Sequence, residues 1–306
     1  MIQLQFDRNM LIIYGPTGVG KSDLACAIAQ KVPAEIVNAD MGQLYTPLSI
    51  GTAKPNWKTE PVKHHLFDVM NEPLDCSVIE YRQMLSAVLE DIWSRNKLPI
   101  IVGGSGFYVQ SIFYPPIAKH TDVPSHGTWD DLHAVDPQRA AHIHPNDKYR
   151  ISRALSIWNS SGIKPSVYVR RFEPLGSGHI VWVGRERAQL YARINERVLV
   201  MIKQGWLDEC KALMGTRWQE FIQRKKLIGY PELFDYVQGN IALDDAIQSI
   251  SKKTRAYAKR QETFWRMLKR TIQAEAENQF SMSFEELNLT LSDHSLYINQ
   301  LLQRLV

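Results

Sequence analysis

Cysteine is scarce in this chain, long apolar runs are missing, and each absence removes a class of protein. Cys26, Cys76 and Cys210 are the only cysteines. Their odd number rules out a complete disulfide framework, and none stands in the C-x-x-C spacing of a zinc or redox site, so core thiols are expected. No stretch reaches the roughly 18 consecutive apolar residues that a membrane-spanning helix needs. The N-terminus also lacks the basic-then-apolar layout of a secretory signal, so a cytoplasmic protein with no membrane partner is expected. There is no internal repeat and no low-complexity tract. What remains is a chain of 306 residues, 44% hydrophobic, large enough for one main domain carrying a smaller one.

The formal charge of +4 says less than its distribution. From Ser251 to Arg270 the basic side chains Lys252, Lys253, Arg255, Lys259, Arg260, Arg266, Lys269 and Arg270 face a single acid, Glu262, whereas the segment after Arg270 is net acidic. This predicts one strongly positive surface, read either as a solvated helix face or as a binding face for a polyanion.

Hydrophobic periodicity predicts an α/β fold: a parallel sheet flanked by helices, with an inserted helical subdomain. Strands are expected at Met10–Tyr14, Glu35–Ala39, His65–Val69, Leu98–Val102 and His179–Val183, with helices from Lys21 towards Lys31 and from Val78 to Arg95. Between Tyr114 and Ser177 proline and histidine become frequent and strand signals stop, with helical segments at Trp129–Ala141 and Asp147–Ser160. The expected division is a core of 1–114 with 178–270, an inserted subdomain of 115–177, and a tail of 271–306 without an assigned role. The sheet is expected to be complete at Val183, with helices only from Arg185 onward.

Gly15, Pro16, Thr17, Gly18, Val19, Gly20, Lys21 and Ser22 match G-x-x-x-x-G-K-[ST] between an expected strand and an expected helix, the context this motif's mechanism needs. Glycines let backbone N–H groups turn inward around phosphate oxygens, and the helix N-terminus adds its dipole. Lys21 supplies a cation and Ser22 a hydroxyl for Mg2+. The loop specifies a diphosphate or triphosphate, not what is attached to it. Where many P-loop nucleotide hydrolases end a core strand on an acid, this chain has Gly103-Gly104; the acid lies instead at Asp40.

Several further blocks occur in order: Asp40 with Gln43 and Tyr45, then Ile50-Gly51-Thr52-Ala53-Lys54-Pro55; His64-His65-Leu66-Phe67-Asp68; and Val102-Gly103-Gly104-Ser105-Gly106-Phe107-Tyr108. His144-Pro145-Asn146-Asp147, Arg150, Arg153-Ala154-Leu155, Ile228-Gly229-Tyr230 and Thr254 to Gln261 follow. In this combination the chain resembles the tRNA dimethylallyltransferase (tRNA isopentenyltransferase) family of bacterial type, from the P-loop to about Arg266. The resemblance implies that the P-loop holds the diphosphate of dimethylallyl diphosphate, that Asp40 is the general base and that Ser105 assists it. It also implies a tRNA partner, whose anticodon-loop adenine at position 37 is flipped into a channel that the prenyl donor enters from the other end. Asp40, Met41, Gly42 and Gln43 fall in the block that meets the base. Tyr149, Arg150, Ile151, Ser152 and Arg153 fall in a tRNA-contacting helix, and Lys252, Arg255 and Lys259 on a second phosphate-tracking face. A monomer is expected.

The residue types suit that chemistry. Alkylating an exocyclic amine with an allylic diphosphate requires neutralising the leaving group, accepting a proton from a poor nucleophile, and keeping water away from the allylic cation. Alternatives stay open at single positions. Asp40 also suits an outer ligand of magnesium, Ser105 a helix cap, and Gln43 a tie within its own loop. Tyr257 and Trp265 are core or stacking residues, and His64 and His65 lack metal-ligand spacing. A small-molecule kinase, an adenylate prenyltransferase acting on free AMP, and a non-catalytic RNA-binding module are the competing readings. The chain departs from the family pattern at Met41-Gly42, at Ser105 in place of threonine, at Pro231 and at Phe264-Trp265, and it has no C-terminal zinc-finger pattern.

Overall fold

The computed structural model describes residues 8–116, 127–276, 282–292 and 294–305. They divide into two units, one of Met1–Phe113 with Pro174–Val306 and one of Tyr114–Glu173.

The larger unit is built on strands apolar on both faces, which only an interior parallel sheet can bury. β1 (Asn9–Tyr14) is solvent-free from Met10 to Tyr14. It leads through the glycine-rich loop into α1 (Lys21–Ala29), which buries Leu24, Ala25 and Ile28. β2 (Ala34–Asn38) and β3 (His64–His65) follow, then α2 (Val78–Ser94), β4 (Leu98–Gly103) and α3 (Gly106–Phe113). α2 starts with a capping box: the Ser77 hydroxyl accepts the Glu80 N–H at 3.2 Å, and the Glu80 carboxylate accepts the Ser77 N–H at 2.6 Å.

In the smaller unit α4 (Trp129–Val135), α5 (Pro137–Ala140) and α6 (Lys148–Ser161) close around Leu132, Ile143, Ile151 and Leu155. One helix was expected across Trp129–Ala141; it is split at Asp136, because the residue before a proline is driven out of helical geometry. The freed Asp136 carboxylate then caps α5, accepting the Arg139 N–H at 3.0 Å. Part of the expected insertion, residues 117–126, lies outside the described residues.

The larger unit resumes with β5 (Ser177–Gly184), α7 (Arg187–Lys203), α8 (Trp206–Leu213), α9 (Arg217–Lys225), α10 (Tyr230–Val237) and the 34-residue α11 (Leu243–Ala276). It ends with β6 (Met282–Asn288) and α12 (His294–Leu305). Sheet order is β3-β2-β4-β1-β5-β6, and every adjacent pair is parallel. No helix among the described residues is long and apolar enough to cross a membrane.

Two expectations need correction. The third strand was expected over His65–Val69, but it stops at His65 because Leu66 and Asp68 take positive φ (59° and 52°), which breaks the ladder. Asp68 turns inward instead, taking the Lys54 ammonium and the Trp57 indole N–H. The sheet is also not complete at β5, since β6 adds a sixth strand paired from Gly178↔Met282 to Gly184↔Asn288. Its adjacent acids obscure it in the sequence. In the fold Glu285 is met by His179 and Arg304, and Glu286 by Lys269. α12 then buries Tyr297, Ile298 and Leu301 in the same core as Leu24 and Ile28 of α1, so residues after Arg270 are part of the main core.

Leu301→Ala should therefore lower unfolding free energy by about 2–5 kcal/mol, the range for emptying a fully buried leucine site. Urea unfolding checks this; a change under about 0.5 kcal/mol would mean that α12 is not packed on α1.

Candidate active site

Parallel pairing puts the carboxyl ends of β1, β2 and β4 at one edge of the sheet, where open α/β folds bind ligands. Tyr14 is level with Gly103 and Asn38 with Val102, so the P-loop, Asp40 and Ser105 all leave the sheet at the same height. In the loop, Gly18 and Gly20 take φ of 79° and 109°, a region costly for side-chain-bearing residues. α1 begins directly after Gly20, with its first N–H groups facing the loop. The Lys21 ammonium folds back onto the Pro16 carbonyl at 2.9 Å. Burial lowers its pKa to about 8 against the attraction of Asp40, with Arg197 pushing the same way.

Asp40 follows β2 and caps a short helical turn, accepting the Gly42 N–H at 3.2 Å. Burial raises its carboxyl above the ordinary range, opposed by Lys21, the Gly42 N–H and Arg197. Ser105 accepts the Met41 N–H at 3.0 Å, so its hydroxyl ties the glycine turn after β4 to the turn that carries Asp40. Gln43 donates its amide to the carbonyls of Thr52 and Ala53 at 3.1 and 3.3 Å, which fastens its own loop. His64 and His65 are structural: His64 bonds the Val62 carbonyl, and His65 bonds Glu35.

Two cavities open here. One of about 350 Å³ is lined by the P-loop, including Lys21 and Ser22, and by Arg193. The other, about 320 Å³, has an apolar and aromatic wall that includes Ile194, Val198, Met201, Trp206 and Tyr257, with Met41, Gly42 and Ser105 at its floor. Thr17, Gly18, Asp40, Thr52, Ala53 and Arg197 border both. Asp40 thus faces a P-loop-lined space and an apolar space together.

Three side chains of this site were not expected. Arg193 and Arg197 stand four apart on α7, beside the apolar stripe Leu190, Ile194 and Val198, and that spacing was the available signal. Arg193 donates to the Gly18 carbonyl at 3.1 Å. Gln261 of α11, 4% exposed, accepts the Thr17 N–H at 2.9 Å and donates to the Gly104 carbonyl at 2.8 Å, so one amide spans the P-loop and the glycine turn. Four residues earlier on the same helix, Tyr257 lines the apolar cavity together with Ser105, whereas Trp265 is core, stacked on Trp182.

The expected RNA-contacting residues divide. Tyr149 and Arg150 of α6 are exposed, Arg150 also pairing with Asp147 at 3.4 Å, while Ser152 and Arg153 are half-buried. Ile151 is 2% exposed and belongs to the smaller unit's core, so its side chain is not a surface contact. Lys252 and Lys259 of α11 are exposed; Arg255 between them bonds Asn195 at 2.6 Å and lies over the Tyr191 ring.

Fold and site together define a P-loop α/β protein in which a P-loop-lined cavity adjoins an apolar cavity across Asp40. The IPP transferase family model matches residues 43–268, and the chain belongs to that family. It is 37% identical to a tRNA dimethylallyltransferase of Geobacillus thermodenitrificans, over 85% of this chain and 88% of that one. With the tRNA dimethylallyltransferase of Geobacillus kaustophilus it shares 36% identity, over 92% and 95%. Among solved structures it is similar to a eukaryotic dimethylallyltransferase acting on tRNA, with a TM-score of 0.76 at 26% identity, covering 97% of this chain and 77% of that one. It is also similar to the tRNA isopentenylpyrophosphate transferase of Bacillus halodurans, with a TM-score of 0.68 at 29% identity, covering 98% and 97%.

Gln261→Ala should leave a buried N–H and a buried carbonyl unpaired, costing about 1–3 kcal/mol of stability. Affinity for inorganic diphosphate should fall by roughly tenfold as the P-loop loses its tie. Calorimetric titration with diphosphate is the check; unchanged affinity would mean that the loop holds its shape without α11.

Proposed function

We propose that the chain transfers a dimethylallyl group from dimethylallyl diphosphate to N6 of the adenine at position 37 in the anticodon loop of tRNA, releasing diphosphate. The observation that carries this reading is the placement of Asp40 on the border of both cavities, within the field of Lys21. The P-loop-lined cavity takes the diphosphate and the apolar one takes the base. Each has a volume suited to one small group rather than to a duplex.

The P-loop amides, Lys21 and the arginines of α7 stabilise the charge that builds on the diphosphate oxygens as the allylic C–O bond breaks. N6 attacks the allylic carbon, and Asp40 accepts the N6 proton as the new C–N bond forms. Its raised proton affinity strengthens it as a base at neutral pH. Ser105 keeps the Asp40 turn in register through Met41, and the apolar wall keeps water from the allylic cation. The site also fits Mg2+: Ser22 would hold it together with substrate oxygens, and it would supply further neutralisation of the leaving group. Among the described residues no cluster of three or more His, Cys, Asp and Glu is placed to hold a metal ion.

For tRNA, the exposed Tyr149 and Arg150 of the smaller unit and Lys252 and Lys259 of α11 offer stacking and phosphate contacts. A kinase reading lacks an acid at the end of β4, where Gly103-Gly104 stand.

The test is incubation with labelled dimethylallyl diphosphate, Mg2+ and unmodified tRNA, followed by nucleoside analysis. N6-dimethylallyladenosine should form. Its absence, transfer to free AMP instead, or turnover of ATP γ-phosphate would each refute the proposal. Asp40→Ala should retain tRNA binding and slow transfer by roughly a hundredfold or more. In the unsubstituted chain the rate should fall as pH drops through the Asp40 pKa, with that limb above the ordinary aspartate value because burial disfavours the charged form. Replacing Lys252 and Lys259 together by alanine should weaken tRNA binding and reduce its salt dependence by about one to two units of log–log slope; filter binding across ionic strengths measures both.

A further inference from the structure

Glu209 of α8 lines neither cavity, yet its carboxylate is the focus of the loop that does. Oε2 accepts the N–H groups of Ser49 and Ile50 at 3.0 and 2.7 Å. Oε1 accepts the Gly51 N–H at 3.0 Å and the Tyr230 hydroxyl at 2.8 Å. Three consecutive backbone donors converging on one anion fix the loop backbone far more tightly than a single bond. Behind it, Gly51 lies so close to the indole of Trp206 and the ring of Tyr230 that no side chain fits there.

From Gly51 the contacts run directly to the general base. Thr52 and Ala53, the next two residues, border both cavities. Thr52 donates its hydroxyl to the Leu48 carbonyl at 2.6 Å and presses its methyl on Gly42, where a Cβ would come within 2.8 Å of it. Gly42 in turn gives its N–H to Asp40, and Gln43 holds the Thr52 and Ala53 carbonyls. Around Asp40 stand Lys21 of α1, Arg197 of α7 and Tyr257 of α11, so the loop closes the remaining side.

We propose that Glu209 is a positioning residue for prenyl transfer: by anchoring residues 49–51 it presses Thr52 onto Gly42 and so holds Asp40 in its reactive orientation. This rests on the transferase reading above. A carboxylate with only a stabilising role would make the same bonds but would not govern the rate in molecules that remain folded.

The experiment compares single-turnover transfer in the unsubstituted chain, Glu209→Gln and Glu209→Ala, at saturating tRNA and dimethylallyl diphosphate, with thermal melts giving the folded fraction. Glu209→Gln keeps length and volume but sets an NH₂ group against backbone donors, so it perturbs the loop with little change in packing. Its rate per folded molecule should fall by about tenfold or more, and that of Glu209→Ala further, with tRNA Kd within about twofold. Gly42→Ala should cost less in the Glu209→Gln background than alone, because both disturb one contact. A Glu209→Gln rate equal to that of the unsubstituted chain, strict additivity with Gly42→Ala, or a loss of tRNA affinity that accounts for the whole effect would overturn the proposal. Failure of the unsubstituted chain to transfer at all would instead overturn the activity.

Discussion

The site depends on one constraint, the in-step parallel register of β2, β4 and β1. Parallel strands present all their carboxyl ends at one edge, but the loops leaving them meet only where the backbones can approach closely. Gly103 permits this. A Cβ there would collide with the Ala39 carbonyl, so any larger residue would push apart the two turns that carry Asp40 and Ser105. With glycine in place, the Ala39 carbonyl accepts the Ser105 N–H at 3.3 Å, and the Ser105 hydroxyl accepts the Met41 N–H. Gln261 then fastens the P-loop to the same turn. Three loops distant in sequence become one rigid unit, held mostly by backbone groups.

Within that unit Lys21 and Asp40 are set against their own charges. Burial lowers the lysine's proton affinity and raises the aspartate's, and each opposes the shift in the other. On the proposed reading, an anionic diphosphate at the P-loop would supply the lysine with a stronger partner than the Pro16 carbonyl it bonds in the free protein. On the proposed reading, the same negative charge would favour a proton on Asp40, so filling the P-loop would strengthen the proposed base in the neighbouring cavity. The coupling needs no movement, only shared electrostatics over the border that the two cavities have in common.

Much of this was legible in the sequence for physical reasons. A P-loop is encoded locally: its glycines, lysine and hydroxyl must be adjacent, and the strand before and helix after it carry their own periodicity. Asp40 was legible because a short buried strand ends immediately before it. Gln261, Glu209, Arg193 and Arg197 were not, because what each does depends on groups at long sequence distance; Gln261 reaches Thr17 and Gly104, and Glu209 reaches Ser49 to Gly51. β6 was hidden because an edge strand with one neighbour tolerates charge, and its two glutamates find partners only once β5, α11 and α12 are assembled. Ile151 was grouped with its neighbours by block alone, which cannot tell which face of a helix a side chain occupies, and its side chain is buried in the smaller unit's core.

The departures from the family pattern follow from the same backbone logic. Ser105 can stand for threonine because the structure uses only its hydroxyl, as acceptor for Met41. Pro231 is accommodated in the first turn of α10, where a helix has no partner for the missing N–H. Met41-Gly42 is the substantive change. The Met41 N–H, not its side chain, carries the tie to Ser105, and Gly42 is the one residue that admits the Thr52 methyl against the Asp40 turn. A side chain at position 42 would have to displace Thr52, and with it the loop that Glu209 anchors. In this chain the 49–53 loop and the Asp40 turn are therefore fitted to each other, so the orientation of the Asp40 carboxylate is set by their contact as much as by the aspartate itself.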